Sequence, residues 1–206
     1  MARILSSSKE FRKEFGLRDC SVAEGARVEL EDPDSIQIEG SVRIAGYVKI
    51  GRGVRIEAFV SLQDCEIGAN SLIRSFSVVS NSVCIGTGCT VGPGAFIRDH
   101  VVTNSSCLIG SNAEVARSEI GSRVKISHYC FVGDSKIQDD VILGAGVVTA
   151  NYKNGVRSLT SIGCDTLVGC NAVIIAPVTI GSNCIIGAGE VVTDHLVSGS
   201  KFSVRF

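Results

Sequence analysis

One of the chain's three histidines lies in a segment that could support proton transfer. His128 occurs within KISHYCFVGD, residues 125–134. An imidazole has an ordinary pKa near about 6.5, so it can accept a proton at neutral pH and act as a general base. The structural alternative is that His128 is an exposed polar residue on a repeat. The elements that surround it decide between these two interpretations.

An aliphatic residue recurs at intervals of about six positions over most of the chain. The series is Ile38, Ile44, Ile50, Ile56, Leu62, Ile67, Ile73, Val79, Ile85, Val91, Ile97, Ile109, Val115, Ile120, Ile126, Val132, Ile137, Leu143, Ile162, Val168, Ile174, Ile180, Ile186 and Val192. A six-residue unit is a short strand followed by a corner, and stacked units of this kind form a solenoid. The period predicts an all-β parallel β-helix with these side chains inside.

Residues two positions before the aliphatic ones also face inward, because side chains alternate along a strand. They are small, and five of them are the cysteines Cys65, Cys89, Cys107, Cys130 and Cys184. We interpret these as small buried hydrophobic residues and not as metal ligands or disulfides, since the chain has nine cysteines and no CxxC pair.

Composition excludes several classes of partner. The net charge of −1 offers no cationic excess for a nucleic acid. No apolar run approaches the roughly 18 residues that would span a membrane, and the N-terminus lacks the apolar core of a signal peptide. We therefore expect a cytoplasmic protein.

The two ends and one internal segment depart from the repeat. We expect an N-terminal cap over residues 1–30, with a short helix begun by Ser7 or Ser8 and ended by Gly16. The β-helix is predicted over 31–195 and a C-terminal arm over 196–206. A loop insertion is expected near 150–160, where Asn154-Gly155 indicates a turn.

The hexad pattern resembles the hexapeptide-repeat acyltransferases, whose coils are left-handed. From about Arg98 onward, the series H…GD…GAG…NY…APV…G is similar to the acetyltransferase half of the bifunctional enzyme of UDP-N-acetylglucosamine biosynthesis. That resemblance implies acetyl-CoA as cosubstrate and a homotrimer with sites between subunits. The nucleotidyltransferase half has no counterpart here, so uridylyl transfer is not expected.

The resemblance also implies roles for individual residues. His128 takes the position of the general base. Arg98, Glu114, Phe131 and Arg157 fall on acceptor-side positions. The acetyl-CoA positions correspond to Ala145, Asn151, Tyr152, Cys170, Ala188 and Arg205, and the backbone near Ala145 is the expected oxyanion donor.

Three acceptor contacts of the family are changed. The family's lysine falls on Ala116, its tyrosine on Phe131 and its asparagine on Ile142. Arg117 follows the missing lysine and is a candidate to replace it. We expect acetyl transfer to be kept with a different acceptor: an N-acetyltransferase acting on an amino sugar, sugar phosphate or nucleotide sugar.

Two further enzyme functions and one non-enzymatic function remain as alternatives. An O-acetyltransferase would use the same base on a sugar hydroxyl, and a non-catalytic scaffold would not need His128. A zinc carbonic anhydrase, also known on hexapeptide solenoids, needs three converging histidines with two close in sequence. His100, His128 and His195 lack that spacing, so we expect no metal.

Overall fold

The computed structural model describes residues 3–17 and 19–203, and over this range the chain forms a parallel β-solenoid of about ten turns. Each turn has three short strands that lie on three faces. Parallel pairing joins most strands to the equivalent strand 17 or 18 residues further along; the separation is 25 residues across the insertion, 20 or 22 in the first turn and 16 in the last. The predicted all-β fold is confirmed, and the architecture is consistent with a left-handed β-helix.

The first face is a ten-stranded parallel sheet. Its strands are Gln37–Ile38, Arg55–Ile56, Leu72–Ile73, Thr90–Val91, Leu108–Ile109, Lys125–Ile126, Ile142–Leu143, Leu167–Val168, Ile185–Ile186 and Lys201–Phe202. The register pairs each aliphatic repeat residue with its equivalent in the next turn, as Ile126 pairs with Leu143.

The second and third faces belong to one 17-stranded sheet, because three long strands bend around the corner between them. These are Val42–Ile50, Val60–Ile67 and Val78–Ile85. The other strands of the second face are Ser21–Val22, Phe96–Arg98, Glu114–Ala116, Phe131–Gly133, Val148–Ala150, Val173–Ile175 and Val191–Val192. The third face adds Arg27–Leu30, Val102–Thr103, Glu119–Ile120, Ser135–Ile137, Thr160–Ile162 and Val178–Ile180.

The interior is a single column of small and aliphatic side chains. The predicted aliphatic residues are buried, and so are the five cysteines assigned to the inner layer. Burial of an Ile side chain contributes about 1.5–3 kcal/mol, so a repeat that supplies three per turn stabilises each turn against its neighbours. All nine cysteines lie in the described part of the chain and carry free thiols.

The N-terminal segment covers the first turn. A helix over Ser8–Phe15 begins at Ser7, whose hydroxyl accepts from the Glu10 N–H, and ends at Gly16 in the left-handed region (φ 64°), as predicted. Phe11 is fully buried against the core. The strand Arg3–Leu5 pairs antiparallel with Arg27–Leu30, and a 3-10 helix occupies Pro33–Ser35.

Strands outside residues 31–195 also join the solenoid. Ser21–Val22 and Arg27–Leu30 pair in parallel with Val42–Ile50, and Lys201–Phe202 adds to the first face beside Ile185–Ile186. In the described part of the chain, no helix is long and apolar enough to cross a membrane.

Candidate active site

His128 lies at the corner between the first and second faces, which we call the histidine corner. Its side chain is exposed, and its ring meets the Tyr129 ring edge-on with centroids 5.6 Å apart. Tyr129 adopts a left-handed conformation (φ 58°) and is 66% exposed. His128 is therefore outside the core and accessible, as the alternation of the strand predicts.

Three of the predicted acetyl-CoA residues stack above His128 at the same corner, one per turn. They are Ala145, Cys170 and Ala188, and backbone bonds between successive turns hold the column together. These bonds run from Gly146 N–H to His128 O (3.0 Å), from Asn171 N–H to Ala145 O (2.8 Å) and from Gly189 N–H to Cys170 O (2.8 Å). Neighbouring strands lie about 4.8 Å apart, so the column extends about 14 Å from the imidazole.

The column is lined by small side chains. Two of its three residues above His128 are alanines, and Cys170 and Ala188 are exposed, so small side chains leave the corner open. Among the described residues, no acceptor takes the Ala145 backbone N–H. An N–H without a protein acceptor, one turn from the imidazole, is a suitable donor for the oxyanion of acyl transfer.

A second set of predicted residues lies at the corner between the second and third faces, which we call the arginine corner. Arg98 donates from Nε and Nη2 to Glu114 Oε1 at 2.9 and 2.6 Å, and it also binds Asp99. Arg117 lies one turn further, with Nη1 3.7 Å from an Asp99 carboxylate oxygen. Arg98 and Glu114 are thus brought together in a network of alternating charges.

The network continues through Asp134, which the sequence did not single out as a site residue. Arg117 donates to both of its carboxylate oxygens, from Nε at 2.8 Å and from Nη2 at 3.0 Å. The buried Asn151 amide also donates to it, and Arg157 Nε lies 4.0 Å away. A spacing of 17 residues, one turn of the solenoid, separates Arg117 from Asp134 and Asp134 from Asn151. That spacing is the feature of the sequence from which their contact could have been predicted.

Two aspartates of the network, Asp134 and Asp99, have lowered pKa values. Burial acts to raise the pKa of Asp134, but hydrogen bonds from Arg117 and Asn151 and the charges of Arg117 and Arg157 bring it below its ordinary value of 3.8. For Asp99, a hydrogen bond from Asn81 is the main cause of a lowered pKa. Both carboxylates are therefore charged at neutral pH and able to fix the arginines.

The insertion forms a short hairpin beside the arginine corner. Its strands are Tyr152–Lys153 and Val156–Arg157, joined by Asn154 and Gly155 with φ values of 53° and 82°. Positive φ at both central residues defines a tight hairpin turn, as the Asn-Gly pair predicts. Tyr152 and Arg157 are exposed, so the hairpin presents them outward next to Asn151.

Phe131 lies on the second face between the two corners and is half-buried. Its ring leans over Gly133: a Cβ at that glycine would come within 3.0 Å of the ring and within 2.6 Å of Asn151 Nδ2. The missing side chain of Gly133 therefore lets the Phe131 ring and the Asn151 amide both pack against its backbone. Ile142, the other changed acceptor position, is exposed on the first face.

The predicted acetyl-CoA residues are divided between the two corners. Ala145, Cys170 and Ala188 accompany His128, whereas Asn151 and Tyr152 accompany the acceptor-side arginines. Arg205 lies outside the described residues. His128 and Asp134 are six residues apart across the second face, at most about 20 Å of extended chain.

The other two histidines do not approach His128. His100 is exposed at the arginine corner, and His195 Nδ1 accepts the Thr179 backbone N–H at 2.8 Å. Within residues 3–17 and 19–203, no group of three or more His, Cys, Asp or Glu side chains is arranged to hold a metal ion.

A groove in the described chain lies elsewhere, along the third face. Its volume is about 840 Å³, and Glu119, Arg123, Lys136 and Asp139 are among its lining residues. It contains none of the predicted site residues. A site formed between subunits would leave no enclosed cavity in a single chain, so the groove does not argue against the two corners.

Comparisons with known proteins agree with the repeat. The family model "Bacterial transferase hexapeptide (six repeats)" matches residues 64–99 and 159–193. Among solved structures, UDP-N-acetylglucosamine acyltransferase of Arabidopsis has a TM-score of 0.56 at 16% identity, over 86% of this chain and 67% of that one. The Francisella novicida enzyme of the same name gives 0.52 at 16% identity, over 85% and 62%. At these identities the likeness concerns the fold.

The solenoid and its repeats have the features of hexapeptide-repeat proteins of the bacterial transferase type, whose family model matches the two segments given above. Its sequence is similar to the bifunctional protein GlmU. The Dichelobacter nodosus protein is 39% identical over 190 residues, which cover 86% of this chain and 41% of the relative. The protein of Baumannia cicadellinicola subsp. Homalodisca coagulata is 33% identical over 179 residues, covering 87% and 38%. The resemblance seen in the sequence is confirmed, and the chain spans about two fifths of the length of these relatives.

Proposed function

We propose that the chain is an acetyl-CoA-dependent N-acetyltransferase that acts on an amino sugar, with His128 as general base. The observation that carries the proposal is the histidine corner, where an exposed imidazole lies in line with Ala145, Cys170 and Ala188. The family match and the similarity to the bifunctional protein GlmU support a transferase.

Acetyl-CoA is assigned to the histidine corner and the acceptor to the arginine corner, whose Asn151 and hairpin also border the acetyl-CoA held by a neighbouring chain. Acetyl-CoA lies along the histidine corner with its thioester near Ala145, whose N–H stabilises the oxyanion. The neutral amine of the acceptor attacks the thioester carbonyl, and His128 takes the proton that the nitrogen loses. The C–S bond then breaks, and the CoA sulfur leaves as a thiolate that recovers the proton.

The acceptor side is the arginine corner. Arg98, Glu114 and Arg157 provide polar contacts there, beside the apolar ring of Phe131. Arg117 is bound by Asp134, so a substrate phosphate would compete with a carboxylate already in place. The complete site forms between the subunits of a homotrimer, where the arginine corner of one chain faces the histidine corner of another.

A panel of acceptors tests the transfer. The chain is incubated with acetyl-CoA and with glucosamine, glucosamine-1-phosphate, a UDP-linked amino sugar or the matching hydroxyl sugars, and products are identified by mass spectrometry. Thiol reagents are unsuitable, because Cys84 and Cys170 are exposed. N-acetyl products are expected. Acetyl esters alone would establish an O-acetyltransferase. The absence of product with every acceptor would favour the non-catalytic scaffold.

The role of His128 is tested by His128→Ala. We expect turnover to fall by at least about 10²-fold, the usual contribution of a general base, with the thermal unfolding midpoint unchanged because the side chain is exposed. His100→Ala is the matched control, since it removes an exposed histidine at the arginine corner. Equal rates in the two variants would contradict the assignment.

A further inference from the structure

Asp134 joins three separate parts of the chain through one carboxylate. Arg117 comes from the preceding turn, Asn151 from the following turn, and Arg157 from the hairpin. The Asp134 side chain is 17% exposed and that of Arg117 is 20%, so the pair is largely shielded from water. The two parallel N–H···O bonds between them fix both planar groups.

The neighbours of Asp134 are residues with proposed roles in the reaction. Asn151 is 7% exposed, and its carbonyl accepts the Ser158 N–H at 2.8 Å, where the hairpin returns to the coil. The base of the hairpin is therefore tied to Asn151, and Asn151 is tied to Asp134. Removal of the carboxylate would release the amide, the hairpin's Arg157 and the Arg117 guanidinium together.

We infer that Asp134 is a positioning residue for acetyl transfer, which holds Asn151 and the Tyr152–Arg157 hairpin in place to form one wall of the acetyl-CoA site. The inference rests on the proposed function. Asp134 itself contacts neither the attacking nitrogen nor the thioester carbon, and it acts through Asn151.

The solenoid offers a matched control in a second Arg–Asp pair of the same geometry. Arg123 and Asp140 are also 17 residues apart and bonded through both oxygens, at 2.7 and 2.5 Å, but they lie at the corner between the third and first faces. Asp134→Asn and Asp140→Asn thus break bonds of the same kind between turns, one in a shielded pair beside the proposed site and one in a more exposed pair away from it.

The test compares steady-state kinetics of the two variants. We expect Asp134→Asn to raise KM for acetyl-CoA about tenfold or more while kcat changes little, and Asp140→Asn to leave both near wild type. Asp134→Glu, which keeps the charge, should recover part of the loss. An unchanged KM in Asp134→Asn would overturn the inference.

A double-mutant cycle separates positioning from general loss of structure. If Asp134 acts through Asn151, then Asn151→Ala alone raises KM, and adding Asp134→Asn to it has little further effect. Fully additive effects would overturn the inference. If Asp134→Asn does not fold, Arg117→Lys, which removes the paired donors, must raise KM for acetyl-CoA.

Calorimetric measurement of CoA binding distinguishes failure of the proposed acetyltransferase function from failure of the proposed role of Asp134. Wild-type protein that neither transfers acetyl groups nor binds CoA would overturn both the function and the role of Asp134. Wild-type transfer together with Asp134→Asn kinetics equal to those of Asp140→Asn would overturn only the role of Asp134.

Discussion

At the scale of single residues, the protonation of two aspartates at the arginine corner affects the stability of the fold. The pKa of Asp134 is lower in the folded chain than its ordinary 3.8, through hydrogen bonds and nearby arginine charges that outweigh burial. A lowered folded-state pKa adds stability that is fully present above the unfolded pKa. That stability is lost as the pH falls through the folded value. Asp99 has a shift of the same sign.

We therefore expect the chain to lose unfolding free energy as the pH falls below about 4, and Asp134→Asn to lose less over the same interval. Urea unfolding at neutral pH and at steps between about pH 5 and pH 3 measures both. Asp134→Asn should be less stable than wild type at neutral pH, and the difference should narrow in acid. A constant difference would contradict the assigned shift.

The sequence predicted part of the residue-scale picture and missed the rest for a physical reason. Outward placement of His128 follows from strand alternation, which needs only the position of Ile126. The contacts of Asp134 depend on which residues of adjacent turns meet at a corner, and that register shifts wherever a turn has 17 and not 18 residues. Only the folded coil shows that Arg117 binds Asp134.

At the scale of elements, the hairpin at 152–157 is the part of the site least dependent on the core. Its residues are exposed, and its turn needs Gly155 at φ 82°. Gly155→Ala would meet no atom within 4 Å, so its cost is backbone strain alone. Because Asn151 lies at the hairpin's base, we expect the altered turn to affect substrate binding and not global folding.

Gly155→Ala should raise KM for acetyl-CoA or the acceptor several-fold, with the thermal midpoint within a few degrees of wild type. Gly25→Ala is the matched control, since Gly25 also has a left-handed backbone (φ 76°) and open space but lies in the N-terminal segment. Equal kinetic effects in the two variants would show that the turn has no special part in the site.

The elements themselves were the most predictable feature. The six-residue period determines strands, corners and an interior of small side chains, and the Ser7 and Gly16 caps determine the helix. The first and last turns of the solenoid were harder to predict from the sequence. The first turns at Ser21–Val22 and Arg27–Leu30 lack the regular period, yet they pair in register because neighbouring strands supply the missing hydrogen bonds.

At the scale of the whole molecule, the separation of the two corners bears on the proposed trimer. An acceptor held beside Asp134 lies across the second face from His128 of the same chain, up to about 20 Å away. In a closed trimer, each arginine corner can instead face a histidine corner of its neighbour. We expect a particle of about 65 kDa by light scattering, three times the 21.6 kDa chain.

Complementation between impaired chains tests this arrangement directly, when activity is measured at acetyl-CoA well below the KM of the Asn151→Ala variant. His128→Ala damages the histidine corner, and Asn151→Ala damages the arginine corner. If each site uses one corner from each of two chains, mixed trimers contain some interfaces with both native corners, about one quarter of them at equal mixing. Co-expression should then restore activity to about that fraction, whereas the separate variants mixed without subunit exchange should not. Mixed trimers that stay as inactive as the separate variants would show that each site is built within one chain, and that acetyl-CoA spans the second face to reach both corners.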